Sequence, residues 1–354
     1  MGREPRQSFE FRAEKALGAA KAWLDVVASR RATWTASMQK LNESPVTPDQ
    51  IDSLGHLNVR YYIARMDLAN RQLLEANGVS GDEHTFLRRV DTYNKFRREQ
   101  FNGAVLGTYG VLIGEGVIGP GGSVPAYFEI RNEETGDVAA SFLTATSRVD
   151  RVAQAPQDLS KAHRQTRLVE AEGFEVPSSS LPRTLSLSEP RVIPMATLEQ
   201  ELPAEQVQGN MTGRRENTVK PEDCDANGRL REDVDLMTIV FRVAPDDEEQ
   251  AKNIGPIVQH DEQGRRFAWA MMETRSYVFR YPDAGHRVVA LSVDLDFGEK
   301  WRHTRRFMFN GDGGDILGVY DSIGICIDLD ARQAIATPPS VIEGMRQTVR
   351  PDWR

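Results

Sequence analysis

One twelve-residue stretch occurs twice in this chain. Val46-Thr-Pro-Asp-Gln-Ile-Asp52-Ser-Leu-Gly-His56-Leu57 returns as Val219-Lys-Pro-Glu-Asp-Cys-Asp225-Ala-Asn-Gly-Arg229-Leu230, in register and without a gap, 173 residues later. Valine, proline, an acid, aspartate, glycine and leucine recur at matching places. A repeat of domain length constrains the fold more than any other feature, because it calls for two copies of one domain in tandem. The 354 residues suit that expectation, since single cores seldom grow much beyond ~250 residues before splitting.

The segments downstream of the two motifs repeat as well. Leu57, Tyr61, Ala64 and Leu68 step by four, three and four, and Leu230, Val234, Met237 and Phe241 take the same steps. That spacing predicts the buried face of a helix in each copy, with Arg60, Arg65, Asp67 and Arg71 on the opposite side of the first. Gly78 and Pro245 are the expected stops. Strand-forming runs come next, at 109–113, 126–131 and 139–149, then at 288–295, 307–310 and 316–328. Their turns match at an offset of 178: Asn132 to Asp137 with Asn310 to Asp315, and Asp150 with Asp328.

The expected organisation is a helical extension over 1–40, a first domain over 41–152, a linker over 153–212, a second domain over 213–340 and a tail over 341–354. Six of the eighteen prolines fall in the linker, so it is expected to wrap the surface with few regular hydrogen bonds. Apolar positions at Leu17, Leu24, Val27, Trp34, Met38 and Leu41 suggest a helix packed on the first copy.

Composition excludes several classes of function. A hydrophobic fraction of 40% and a charged fraction of 27% describe a water-soluble globular protein, and no apolar run reaches the length of a membrane span. The N-terminal segment has no secretory pattern, so a cytoplasmic location is expected. Cys224 and Cys326 have neither zinc nor disulfide-scaffold spacing and read as reduced structural thiols. The net charge of −8 argues against nucleic acid as a partner, while leaving room for a small anion on a local arginine cluster.

Asp52-Ser-Leu-Gly55-His56-Leu-Asn58-Val-Arg-Tyr61-Tyr, with the helix after it, resembles the opening motif of hot-dog acyl thioesterases of the 4-hydroxybenzoyl-CoA and acyl-ACP types. The family pattern is Asp-x-x-Gly-His-Val-Asn-Asn-x-x-Tyr. Arg131 to Ala140 resembles a hairpin late in the family's sheet. The resemblance covers most of residues 41–340 and implies an α+β fold of two fused hot-dog domains, each an antiparallel sheet around a central helix, paired as a homodimer of single-domain relatives would be. It also implies an acyl-CoA or acyl-ACP substrate, with no cofactor and no metal. A homo-oligomer of double units is a further expectation. This chain departs from the pattern at Val59, where a second Asn is common, and at Arg229 and Arg231, which replace the His and Asn in the second copy. Asn227 resembles the Asn of the Asp-x-Asn-x-His pattern in plant acyl-ACP thioesterases.

Hydrolysis of a thioester needs a base or nucleophile at the carbonyl carbon and donors where the carbonyl oxygen gains charge. Asp52 is the candidate base or nucleophile, and the N–H groups of the helix start are candidate oxyanion donors. His56 is a candidate to polarise the carbonyl or orient water, and Asn58 to hold the substrate amide or a water. Gly55 and Tyr61 are expected beside the substrate. Arg97, Arg98, Arg302 and Arg305, with Arg88, Arg89, Lys95 and Arg306 nearby in sequence, are the clusters able to meet coenzyme A phosphates.

Each residue also has an architectural reading: an Asp before a helix is a common cap, Gly a common turn residue, and charged clusters are often solvated. The second copy serves as a control. What both copies keep, such as Pro48, Gly55 and Leu57, is architectural; His56 and Asn58, absent from the second, gain functional weight; Asp52 stays open because Asp225 persists. Gly114 to Gly119 fits a dinucleotide fingerprint, but Pro120 comes next where a helix must begin, so a loop is expected. Gly311 to Asp315 reads as a turn in preference to a calcium loop. No Gly-x-Ser-x-Gly elbow occurs. Two rivals remain: a hydratase or dehydratase of the same fold, and a non-catalytic acyl-CoA-binding module.

Overall fold

The computed structural model describes residues 38–52, 54–81, 84–113, 123–156, 174–202, 213–231, 234–242 and 258–354. The expected Gly114 loop, most of the N-terminal extension and the Pro245 stop lie outside them. Within the described residues twelve strands form one antiparallel sheet. Five belong to the first half: β1 (Gln39–Pro45), β2 (Thr85–Phe96), β3 (Val105–Leu112), β4 (Val124–Asn132) and β5 (Val138–Asp150). In the second half β6 (Gly213–Thr218), β8 (Arg266–Val278), β9 (Arg287–Phe297), β10 (Trp301–Asn310) and β11 (Ile316–Asp328) follow, with the two-residue strands β7 (Gln259–His260) and β12 (Gln333–Ala334) beside them. From its free edge inward the first half runs β1-β3-β4-β5-β2, and the second runs β6-β9-β10-β11-β8. The order is the same in both.

The halves join where β2 pairs with β8, through Asp91 with Tyr277, Tyr93 with Arg275 and Lys95 with Glu273. Strand pairing alone does not hold this seam. Asp91 meets Arg275, and Asn94 donates to the Thr274 hydroxyl at 2.8 Å, all four side chains being buried. An apolar cluster also crosses it, linking Val90, Leu143 and Val149 to Leu230, Leu236 and Ile239.

The repeated motifs fold alike. Asp52 N–H donates to the His56 carbonyl and Asp225 N–H to that of Arg229, while Gly55 and Gly228 donate back to the two aspartates. Both glycines have left-handed φ, +84° and +76°, a conformation that side chains with a Cβ resist. The later turns also match: Asn132 and Asn310 accept from the N–H groups of Gly136 and Gly314, which have φ of +74° and +72°.

Helix α1 (Val59–Ala76) begins at Asn58, whose Oδ1 accepts from Arg60 N–H at 3.0 Å, and ends at Asn77 with Gly78 left-handed beyond it. Its buried apolar stripe is Tyr62, Met66, Ala69 and Leu73, not the expected Tyr61, Ala64 and Leu68. This stripe packs on Leu112, Phe128, Ile130 and Phe142, each such side chain contributing ~1.5–3 kcal/mol. Arg65 and Asp67, expected on the solvent side, are buried as well. Arg65 donates to the Pro45 carbonyl and Gln50, and Asp67 pairs with Arg89 at 2.5 Å, so neither charge is left without a partner.

The corresponding helix of the second half, α3 (Leu236–Val240), is shorter, with Leu236, Ile239 and Val240 buried in place of the expected Met237 and Phe241. Leu41, expected to be helical, lies in β1. Residues 174–202, which include α2 (Met195–Glu201), lie along the outer face of the sheet. There Ser180 bonds to Tyr127, and Arg275 donates to the Ser186 carbonyl. Helix α4 (Pro339–Thr348) begins before the expected boundary at 340, and Trp353 beyond it is buried. No helix among the described residues is long and apolar enough to cross a membrane.

Candidate active site at the Asp52 turn

The loop from Val46 to Asn58 is tied down by backbone bonds at both ends. Val46 exchanges bonds with Gly103 and Ala104, Asn58 N–H donates to the Gln50 carbonyl, and Leu57 N–H donates to Gln100 at 2.7 Å. That last bond places His56 beside Glu99. The His56 ring then stands between two carboxylates, Nδ1 at 3.5 Å from Asp52 and Nε2 at 3.6 Å from Glu99. Its side chain is 16% exposed and that of Asp52 20%, so the group is recessed but open to solvent.

A residue from the second half completes the arrangement. Arg332 donates to Glu99 at 2.7 Å and to the Leu54 carbonyl at 3.2 Å, which bridges the two walls around His56. Arg332 and Gln154 occupy corresponding turns after β11 and β5, and they are the non-glycine residues with left-handed φ among those described, +50° and +53°. In the second half Arg229 stands in place of His56. Arg97 and Arg98 N–H share the Ala139 carbonyl as Phe279 and Arg280 share that of Leu317, so the alignment puts Tyr281 where Glu99 stands. Burial works to raise the Asp225 carboxyl, but the N–H groups of Arg229 and Asn227 hold it below the usual range.

Asp52 does not cap a helix. Its Oδ1 accepts from Leu54 N–H at 2.9 Å within the turn, and capping falls to Asn58. Asn58 is thereby assigned an architectural task, and two of the expected oxyanion donors at the helix start, Arg60 and Tyr61 N–H, are engaged by it. Tyr61 donates to the Asp49 carbonyl at 3.2 Å, beside the loop. Its neighbour Tyr62 is buried, which pushes its phenol well above the ordinary value, and donates to the Arg98 carbonyl.

The arginines divide. Arg98 is exposed next to Glu99, while Arg97 is half-buried and donates to the Ser179 and Ser180 hydroxyls. Arg302 and Arg305, expected to meet coenzyme phosphates, are buried among protein groups. Arg302, 2% exposed, lies over the Trp269 ring, and Arg305 is bound on two sides by the Asp321 carboxylate. Arg306 is buried beside them. A cavity of about 360 Å³ lies away from these groups, between α1 and the start of β2, and none of Asp52, His56 and Glu99 lines it.

Glu99 and Arg332 were not legible as site residues. The comparison of copies that singles out His56 marks Glu99 as well, once the strands fix its counterpart as Tyr281. Arg332 carries no such local signal.

No family model matches this sequence, and no curated protein does. Solved structures match its fold. The 12:0-ACP thioesterase from Umbellularia californica superposes with a TM-score of 0.54 at 9% identity, over 80% of this chain and 92% of that one. A provisionally assigned oleoyl thioesterase from Lactobacillus plantarum superposes with a TM-score of 0.52 at 13% identity, over 82% of this chain and 96% of that one. The fold is therefore that of the hot-dog thioesterases, as the sequence resemblance implies.

Proposed function

We propose that the chain hydrolyses acyl thioesters at the Asp52 turn, and that it is built as two hot-dog domains over 41–152 and 213–340 with the first carrying the chemistry. The observation that supports this most is the His56 imidazole held between Asp52 and Glu99 at the mouth of a loop that Arg332 braces from the other half. In this reading Asp52 takes a proton from water as the water oxygen attacks the carbonyl carbon. His56 donates to the carbonyl oxygen as it gains charge, the C–S bond breaks, and the leaving thiolate takes the proton that Asp52 removed from water, which returns Asp52 to its carboxylate form. Glu99 orients the imidazole, and Arg332 fixes Glu99. Arg98, exposed beside the site, is the cation placed to meet the phosphate of acyl-CoA or acyl-ACP.

The test is turnover of acyl-CoA and acyl-carrier thioesters of graded chain length, with free thiol as the readout. Asp52→Asn retains the turn's side-chain acceptor and removes the base, so it should lower kcat ~100-fold or more with folding intact. Asp225→Asn, the matched change in the second half, should leave turnover near wild type. Equal turnover by wild type and Asp52→Asn would falsify the assignment. A protein that binds acyl thioesters without cleaving any of them would instead be the non-catalytic module.

A further inference from the structure

The cavity between α1 and the start of β2 has a composition of its own. Arg71, Arg88, Arg89 and Arg151 line it, against the carboxylates of Asp67 and Glu75. Among the described residues that line it, four guanidinium groups thus face two carboxylates, in a chain whose net charge is −8. Apolar walls come from Leu74, Val79 and Phe86. Asp67 is nine residues past the Asn58 cap, ~13 Å along the helix, so the cavity is a different place from the Asp52 turn.

A second observation points to a ligand. Asn70 lines the cavity at 4% exposure and donates to the Thr146 hydroxyl at 3.0 Å, while its Oδ1 accepts no hydrogen bond among the described residues. An amide so buried normally has every group partnered. The Thr146 hydroxyl can donate or accept, so a half-turn of the amide offers the cavity its NH₂ in place of its oxygen. A buried amide donor, guanidinium groups and an apolar wall together match a carboxylate on an apolar body.

We propose that this cavity binds a small amphipathic monocarboxylic acid, its carboxylate on Arg71, Arg89 and Asn70 and its chain against Leu74, Val79 and Phe86. The volume is at the lower end for ligand pockets and suits an acid of roughly eight to ten carbons better than a nucleotide. A bare oxyanion would leave the apolar walls wet. Acids of this class are also what thioester hydrolysis releases; that link rests on the proposed reaction, whereas the binding does not.

Isothermal titration of the full chain with octanoate and decanoate tests the proposal, with 1-octanol, inorganic phosphate and phosphopantetheine as comparison probes. One saturable site is expected for the acids, with 1-octanol at least tenfold weaker and both phosphates weaker still. Arg71→Gln keeps a good helix former in place and should weaken octanoate tenfold or more, as should Arg89→Gln. Asp52→Asn should bind as wild type, even if it proves equally active and so ends the hydrolase reading. Four results would overturn the proposal: no saturable binding of either acid, binding unchanged by both arginine variants, loss of binding in Asp52→Asn, or a phosphate probe that binds as tightly as the acids.

Discussion

Asp91 and Arg275 meet in two parallel bonds of 2.9 and 2.7 Å, one residue from each half, at 0% and 3% exposure. They are diagonal neighbours on the paired strands that join the halves, since Asp91 lies opposite Tyr277 and Arg275 opposite Tyr93. Removing one partner strands a buried charge, so Asp91→Ala should cost ~3–5 kcal/mol of unfolding free energy. Replacing both, as Asp91→Leu with Arg275→Met, should recover most of that. Urea denaturation of Asp91→Ala, Asp91→Leu, Arg275→Met and the double variant measures it, and additive losses in the double variant would count against the pairing as the dominant interaction.

Glu99 and Arg332 form an ion pair with both side chains 40% exposed, a setting worth ~0–1 kcal/mol of stability. Thermal unfolding should therefore barely register Arg332→Ala, while kcat on any cleaved thioester should fall ~10-fold as Glu99 and the Leu54 carbonyl lose their brace. Glu99→Gln should lower kcat with little change in KM. A KM effect without a kcat effect would assign the pair to substrate binding alone.

Burial pushes the Asp67 carboxyl up to about 6, against the pull of Arg89 and Arg71 and with Asp235 pushing the same way. A carboxyl that holds its proton more tightly folded than unfolded favours the folded state below its unfolded value of 3.8. That advantage, on the order of 3 kcal/mol, is lost as pH rises through 6. Asp67→Asn lacks the titration. Its stability relative to wild type should improve by that order between pH 4 and pH 7, and a difference that does not vary with pH would count against the burial effect.

Arg305 and Arg98 should behave as opposites. Arg305→Ala leaves the buried Asp321 carboxylate with His303 alone and frees the Trp353 carbonyl, at a cost of ~3 kcal/mol. Arg98→Ala, a change at an exposed residue, should stay within ~0.5 kcal/mol of wild type and raise KM for acyl-CoA at low salt. If Arg98→Ala leaves KM unchanged at low salt, its side chain does not meet the coenzyme.

The sequence made legible those parts of the fold that rest on local chemistry. Glycines 55, 78, 136, 228 and 314 mark turns because their left-handed φ excludes most other residues. β10 and β11 are visible in part or whole as apolar, β-branched runs. β2 and β8 escape such a reading because their buried positions carry Asp91, Asn94, Lys95, Glu273 and Arg275, whose partners lie across the seam. The face of α1 is misread for a related reason: Arg65, Asp67 and Asn70 are buried on it. At the candidate site Asp52 and His56 stand out as a motif, whereas Arg332 is 233 residues from Glu99 in the chain and reaches it only through the folded sheet.

The identical strand order on either side of β2 and β8 has a consequence for heredity. A dimer assembled from two copies of one chain carries every mutation twice, once at each of its symmetric sites. Here a single thread supplies both sides, so a change at codon 229 or 281 alters one turn and leaves His56 and Glu99 as they were. One locus can thus give its two turns separate histories.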